Sequence, residues 1–219
     1  SFNAPARLQR EFGDIPVFVE NDCNLAALAE AWVGRSGHPP EMLFFTTLGT
    51  GIGGGIVRRG ELQQFSREGE GEIGHLVVEP DGFPCACGNR GCLEVYCSGP
   101  GMRNLSRLVL GKDLDSREIM EGFRAGDPEA VRVVERAADY LGRAFSAAIT
   151  ILAPEEIVLG GGLMWKNEKF LSLIETRSRA LAFPVLREKV RFRLSELGED
   201  LVCRGACLFA LQNLSRLQK

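Results

Sequence analysis

The sequence has almost no histidine, two residues in 219, and no excess of either charge: 26 Lys and Arg stand against 29 Asp and Glu, a formal net charge of −3. That near balance leaves no electrostatic footprint for nucleic acid or for an anionic membrane surface. No apolar run approaches the ~20 residues that a membrane span requires. Internal repeats and low-complexity linkers are absent. Disulfide pairing is disfavoured as well, because the seven cysteines are odd in number and unevenly spaced, which fits a cytoplasmic protein with one metal site and several reduced thiols. What remains is ordinary globular usage, 45% hydrophobic and 25% charged, in a length that suits one large or two small domains. Glycine, at 26 residues, is the one conspicuous surplus.

The hydrophobic pattern alternates between short β-branched runs and helical stripes. Residues 15–19 read as a strand. Leu25, Leu28, Ala29, Trp32 and Val33 then recur at helical spacing until Gly34. Residues 42–48 form a buried-type strand, followed by the glycine-rich stretch 49–55 and a second strand through Ile56 and Val57. Residues 73–78 read as a strand, and 80–91 are too rich in Pro, Gly and Cys to be regular unaided. Asp127-Pro128 is a helix opening, since Asp accepts from an orphan amide and Pro suits the first helical position. Ala130, Val134, Ala137, Leu141, Phe145, Ala148 and Leu152 carry one apolar stripe from there to Pro154. A strand at 157–159 ending in Gly160-Gly161-Gly162, a helix over 171–181, a strand at 190–194 and a helix over 203–217 complete an α/β pattern. Cys203 and Cys207, one helical turn apart, read as core thiols. His38 reads as a surface residue, and the arginines of 187–193 as a solvated strand face.

Three groups of residues carry chemistry. His75, Cys85, Cys87 and Cys92 offer three thiolates and one imidazole, a closed tetrahedral set for structural zinc with no position left for a catalytic water. Gly82, Gly88 and Gly91 allow a short loop to fold around one ion. The competing reading is a group of reduced thiols beside an ordinary histidine. Residues 49–55 satisfy G-x-G-x-x-G through Gly49, Gly51 and Gly54, but a dinucleotide fold needs a helix next and a strand follows instead. A glycine turn between strands can still present amides to an anion, or it can be a tight hairpin. In Glu20-Asn21-Asp22-Cys23-Asn24, Asp22 suits a plain helix N-cap. Taken alone, the cap is the simpler reading; the functional alternative is a general base, because a helix N-terminus favours a carboxylate in its charged form.

Together, Val19-Glu20-Asn21-Asp22-Cys23-Asn24, Gly49-Thr50-Gly51-Ile52-Gly53-Gly54-Gly55, Gly71-Glu72-Ile73-Gly74-His75 and Cys85-Ala86-Cys87-Gly88-Asn89-Arg90-Gly91-Cys92-Leu93-Glu94 resemble the signatures of the ROK family (repressors, open reading frames and kinases). The resemblance extends to Gly205-Ala206. It implies an actin-like, ribonuclease-H-like ATPase fold, chiefly its C-terminal lobe. Residues 1–34 would close the N-terminal lobe and supply the linking helix, and 35–219 would form the C-terminal lobe with its zinc loop at 75–92. The implied activity is ATP-dependent phosphorylation of a hexose or N-acylhexosamine, glucose foremost, with Mg2+ accompanying ATP. Asp22 would be the base. Asn21, Glu72, His75 and Glu94 would hold the sugar, with His75 shared with zinc. Gly49, Thr50 and Gly51 would contact the phosphates, and Gly160, Gly161 and Gly162 the adenosine. A homodimer is implied, without nucleic acid or membrane partners. The family's kinases also carry an Asp-x-Gly-x-Thr strand that these 219 residues do not contain, so most of an N-terminal lobe is expected to lie outside them. A second reading is the sugar-sensing effector domain of a ROK-family repressor.

Overall fold

The computed structural model describes residues 4–64 and 70–217. After α1 (Ala4–Phe12) come α2 (Asp22–Trp32), the hairpin β1 (Met42–Leu48) and β2 (Ile52–Arg58), and a short β3 (Glu61–Leu62). A 3₁₀ turn (Ile73–His75) and an irregular loop lead into α3 (Glu94–Cys97), α4 (Gly99–Leu110), α5 (Ser116–Ala125) and α6 (Pro128–Leu152). The chain re-enters the sheet as β4 (Glu156–Gly160), then forms α7 (Glu168–Leu181), α8 (Pro184–Arg187), β5 (Arg191–Leu194) and α9 (Leu201–Leu217). Among the described residues no helix is long and apolar enough to cross a membrane.

The sheet order is β3-β2-β1-β4-β5, antiparallel through the meander β1–β3 and parallel from β1 across β4 to β5. Both faces are covered, which is why its central strands read as continuous apolar runs. Leu43, Phe45, Val57 and Val158 face Ala26, Ala27, Leu28 and Ala31 of α2, with Leu208 and Phe209 of α9 behind them. Phe44, Leu48, Ile56, Ile157 and Leu159 face the opposite layer, where Leu141 and Phe145 of α6 and Phe170 and Ile174 of α7 pack. Phe44 meets Phe145 edge to face at 6.4 Å, a geometry worth ~0.5–1.5 kcal/mol beyond its buried area. The long helix α6 begins where its sequence signal stands: Asp127 accepts from the Glu129 amide at 3.1 Å and Pro128 takes the first turn. It ends at Ala153, in the left-handed region at φ 47°, before Pro154.

Four sequence expectations are corrected. Residues 15–19 belong to no strand, since no described strand pairs with them, and Ile15 and Val19 are exposed. Residues 73–78 are not a strand: the 3₁₀ turn at Ile73–His75 is followed only by an isolated bridge between Val77 and Cys92. Gly53, Gly54 and Gly55 lie within β2 rather than in a loop. A Cβ on Gly55 would stand 2.8 Å from both the Ala27 Cβ and the Cys23 carbonyl, so the glycine run lets α2 lie directly on the sheet. Cys203 and Cys207 are exposed rather than core, because the only residue of α9 that is fully buried is Gly205.

The arginine run at 187–193 is also not a purely solvated face. Arg191 is exposed, but Arg193 reaches inward to two buried carboxylates, Glu30 of α2 at 2.7 Å and Glu156 of β4 at 3.2 Å. Ser195 donates to Glu30 at 2.6 Å, and Arg35 reaches Glu156 at 3.5 Å. This network bolts α2 to the parallel half of the sheet. His38 is exposed, as expected.

Candidate active site

Asn21, not Asp22, is the N-cap of α2: its Oδ1 accepts from the amides of Cys23 at 2.8 Å and Asn24 at 3.4 Å. Asp22 is therefore the first helical residue, with an exposed carboxylate that accepts from the Cys23 amide at 2.8 Å. Glu20 braces this corner by accepting from the Asn21 amide and from the Asn24 side chain. Because α2 lies so close to β2, its N-terminus arrives beside the turn between β1 and β2. A cavity of about 410 Å³ results, lined among others by Asn21, Asp22, Thr50, Glu72 and Glu94. Three residues expected to hold a sugar (Asn21, Glu72, Glu94), the expected base Asp22 and three expected at phosphates (Gly49, Thr50, Gly51) thus converge on one cavity, which His75 does not line.

Cys23 is a site residue that the sequence reading passed over. Burial, together with the negative charge of Asp22 and then Glu72, pushes its thiol up to about 12, so it lines the cavity as a neutral group. Its sulfur fills the space a Cβ on Gly53 would take, 2.6 Å away.

The turn at 49–51 also opens onto a second cleft of about 940 Å³, lined by residues of α4 and α5 together with Gly162 and Leu163. Gly161, at φ +88°, makes this juxtaposition possible, since a Cβ there would stand 2.4 Å from the Leu48 carbonyl oxygen. Gly162 shares the cleft with Gly49 and Thr50. Gly160 and Gly161 instead line an adjoining cavity of about 470 Å³ beside Trp165 and Ser195. Arg103 and Arg107 of α4 hold Asp113 at 2.5 and 2.7 Å, which keeps its carboxyl well below the usual carboxylate range. The sequence reading missed these cleft residues, although Ser98-Gly99-Pro100 and the Asp115/Glu118 capping box mark the two helix starts.

His75, Cys85, Cys87 and Cys92 form a cluster whose ligand atoms all lie within 4.8 Å of one another. The Cys85 sulfur is 3.6 Å from His75 Nδ1, and the Cys87 and Cys92 sulfurs are 3.6 Å apart. Such separations suit first-row metal ligation, where bonds of about 2.1–2.3 Å set tetrahedral edges of about 3.5–3.8 Å. The donor set fits zinc by softness and count. Burial pushes the Cys92 thiol up to about 12, whereas the backbone at Asn89 lowers that of Cys87. The surrounding loop is stapled by Val78 N–H to Gly91 O at 2.9 Å and Cys85 N–H to Asn89 O at 2.8 Å. Tyr96 stacks on Tyr140 of α6 at 4.6 Å, and Tyr140 donates to Glu79 at 3.0 Å, so the loop is docked on the core.

The profile of the ROK family matches residues 5–213. A glucokinase of Halalkalibacterium halodurans is 36% identical over 220 residues, covering 94% of this chain and 66% of that protein. An N-acetyl-D-glucosamine kinase of Pasteurella multocida is 38% identical over 218 residues, covering 94% and 68%. The chain thus spans about two thirds of the curated relatives' length. Among solved structures, a ROK-family glucokinase from Streptomyces griseus in complex with glucose and AMPPNP superposes with a TM-score of 0.80 at 30% identity, covering 95% of this chain and 72% of that one. A ROK-family transcriptional regulator, a homologue of the E. coli MLC protein, superposes with a TM-score of 0.81 at 28% identity, covering 94% and 54%.

Proposed function

The chain belongs to the ROK family, and from that premise we propose that it carries the sugar-binding and base-bearing part of an ATP-dependent sugar kinase. Its acceptor is a hexose or N-acylhexosamine, glucose foremost. The observation that carries this reading is the 410 Å³ cavity lined together by the exposed Asp22, the Thr50 turn, Glu72 and Glu94. A sugar held there by Asn21, Glu72 and Glu94 presents a hydroxyl to Asp22, which takes its proton as the oxygen attacks the terminal phosphorus of ATP in line; the bond from that phosphorus to the bridging oxygen breaks and ADP leaves. Gly49, Thr50 and Gly51 meet the phosphates, through the amides of Thr50 and Gly51, since that of Gly49 is donated to the Gly51 carbonyl. The donor then runs into the larger cleft towards Gly162, with Gly160 and Gly161 on the adenosine side and Mg2+ accompanying the phosphates. Catalysis in such a site is chiefly positioning.

Zinc is the metal we assign to His75, Cys85, Cys87 and Cys92; bound, it supplies structural crosslinking and no open coordination position. His75 turns Nδ1 to the cysteines, which leaves Nε2 for a part of the sugar that extends beyond the 410 Å³ cavity, since His75 does not line it. We read residues 1–34 as the end of an N-terminal lobe with its linking helix and 35–219 as the C-terminal lobe with the metal loop at 75–92, in a cytoplasmic enzyme. Two copies would pair, a reading supported by the exposed apolar residues Ile151, Leu181, Phe183 and Val185 at the ends of α6 and α7 and on α8; sedimentation velocity tests it.

The likeness to a transcriptional regulator supports a second reading, a sugar-sensing effector domain. Retention of Asp22, Thr50 and the glycine turn favours the kinase. The experiment is ATP-dependent phosphorylation of glucose, N-acetylglucosamine and N-acetylmannosamine by the longest natural form that contains this chain. Turnover on one of them is expected; sugar binding without turnover on any hexose would leave the effector reading.

A further inference from the structure

The turn that meets the donor is clasped from outside by the segment that follows the metal loop. Residues 49–51 close on themselves through a single bond, Gly49 N–H to Gly51 O at 3.0 Å. From the far side, Gly99 at the start of α4 donates its amide to the Gly49 carbonyl at 2.7 Å. Glu94, the first residue of α3, extends its carboxylate to the other end, where Oε2 accepts from the Ile52 amide at 2.8 Å. Gly51 makes this reach possible, since a Cβ at that position would stand 2.8 Å from the same oxygen. Leu163 adds a third external bond by donating to the Leu48 carbonyl at 3.1 Å. Glu94 is half-buried and lines the 410 Å³ cavity, so one carboxylate serves the turn and faces the acceptor site.

We propose that Glu94 is a positioning residue for the donor turn, holding residues 51–52 through the Ile52 amide independently of any sugar it binds. The inference rests on the kinase reading for its consequence in catalysis but on the Ile52 contact for its substance. Glutamine keeps the length and an accepting oxygen, so E94Q retains the clasp and loses the charge offered to the sugar. Aspartate keeps the charge but is one methylene too short to span from α3 to the turn.

Two measurements on the longest natural form, zinc content serving as the folding control, decide the matter. Calorimetric titration with magnesium AMPPNP in the absence of sugar is expected to show E94D binding about tenfold more weakly than wild type, the scale of one lost hydrogen bond to a charged group. E94Q is expected to stay within about twofold of wild type, while its KM for glucose rises. A residue that only binds sugar would leave sugar-free nucleotide affinity unchanged in E94D, and that result overturns the proposal. Amide hydrogen exchange gives the second readout: Ile52 is expected to be protected in wild type and E94Q and to exchange faster in E94D. Unchanged exchange at Ile52 in E94D would refute the clasp even in a protein that binds no nucleotide, whereas absent nucleotide binding with the expected exchange pattern would count against the kinase reading alone.

Discussion

Replacing Arg193 by methionine removes one guanidinium from between two carboxylates that have almost no access to water. Glu30 is 0% exposed and Glu156 3%, and their distances to Arg193 are 2.7 and 3.2 Å. With the cation gone, Glu30 keeps only the Ser195 hydroxyl and Glu156 only the longer contact to Arg35. Breaking a buried pair by removing one partner costs about 3–5 kcal/mol, because the other charge stays desolvated. In a domain of this size each kcal/mol shifts Tm by about 2–4 °C, so a fall of roughly 6–20 °C is expected. Urea titration by far-ultraviolet circular dichroism measures the free energy directly. R193K should recover only part of the loss, since a point ammonium cannot span both carboxylates as the planar fork does. The triple variant E30Q/E156Q/R193M should be more stable than R193M alone, because no unpaired charge remains. A loss below about 1 kcal/mol for R193M, the scale of an exposed ion pair, would refute the claim that this network is buried and couples α2 to the sheet.

Two other perturbations test how the site is built. Gly205→Ala in α9 gains about 1 kcal/mol of helix propensity, but its Cβ would stand 1.9 Å from the Leu25 carbonyl oxygen of α2. Overpacking of about 1–3 kcal/mol outweighs that gain, so thermal melting should show a lower Tm; a rise would mean that α9 does not lie against α2 as described. Thiol labelling with iodoacetamide, read by peptide mass, should find exposed Cys203 and Cys207 reacting first. Cys85, Cys87 and Cys92 should become reactive only after a chelator releases zinc. Cys23 should label slowly, its rate rising about tenfold per pH unit from pH 8 to 10 without a plateau. Its folded pKa is raised from 9.0 to about 12. The stability it contributes is therefore present below pH 9 and is lost as pH climbs towards 12. A labelling plateau near pH 9 would contradict the burial of that thiol beside Asp22.

Much of this architecture was legible because local signals agreed with the tertiary outcome. Asp127-Pro128 and the stripe from Ala130 to Leu152 announced α6, and strands buried on both faces announced themselves as apolar runs. The metal cluster was legible because three thiolates and one imidazole lie within eighteen positions of one another. What escaped depended on distant partners. Gly53 to Gly55 look like a loop until α2 is seen lying on them. Arg193 looks solvated because Glu30 is 163 positions away. Residues 15–19 have strand composition, but a strand needs a neighbour, and none is described beside them. Ile73–His75 became a 3₁₀ turn where Gly74 presses on the Ile52 carbonyl, 2.1 Å from where a Cβ would be. The arginine-bearing cleft on α4 and α5 had no motif to announce it, since its residues meet only when two helix starts converge on Gly49.

The central claim is that Asp22 acts as a base on a sugar hydroxyl presented to the Thr50 turn. The most direct test compares Asp22→Asn with wild type in the longest natural form, measuring phosphoryl transfer from ATP to glucose alongside glucose binding and zinc content. The variant is predicted to keep its zinc and bind glucose with kcat lowered by about 10²–10⁴, the range a general base contributes. An Asp22→Asn enzyme that turns over glucose at the wild-type rate would contradict the account.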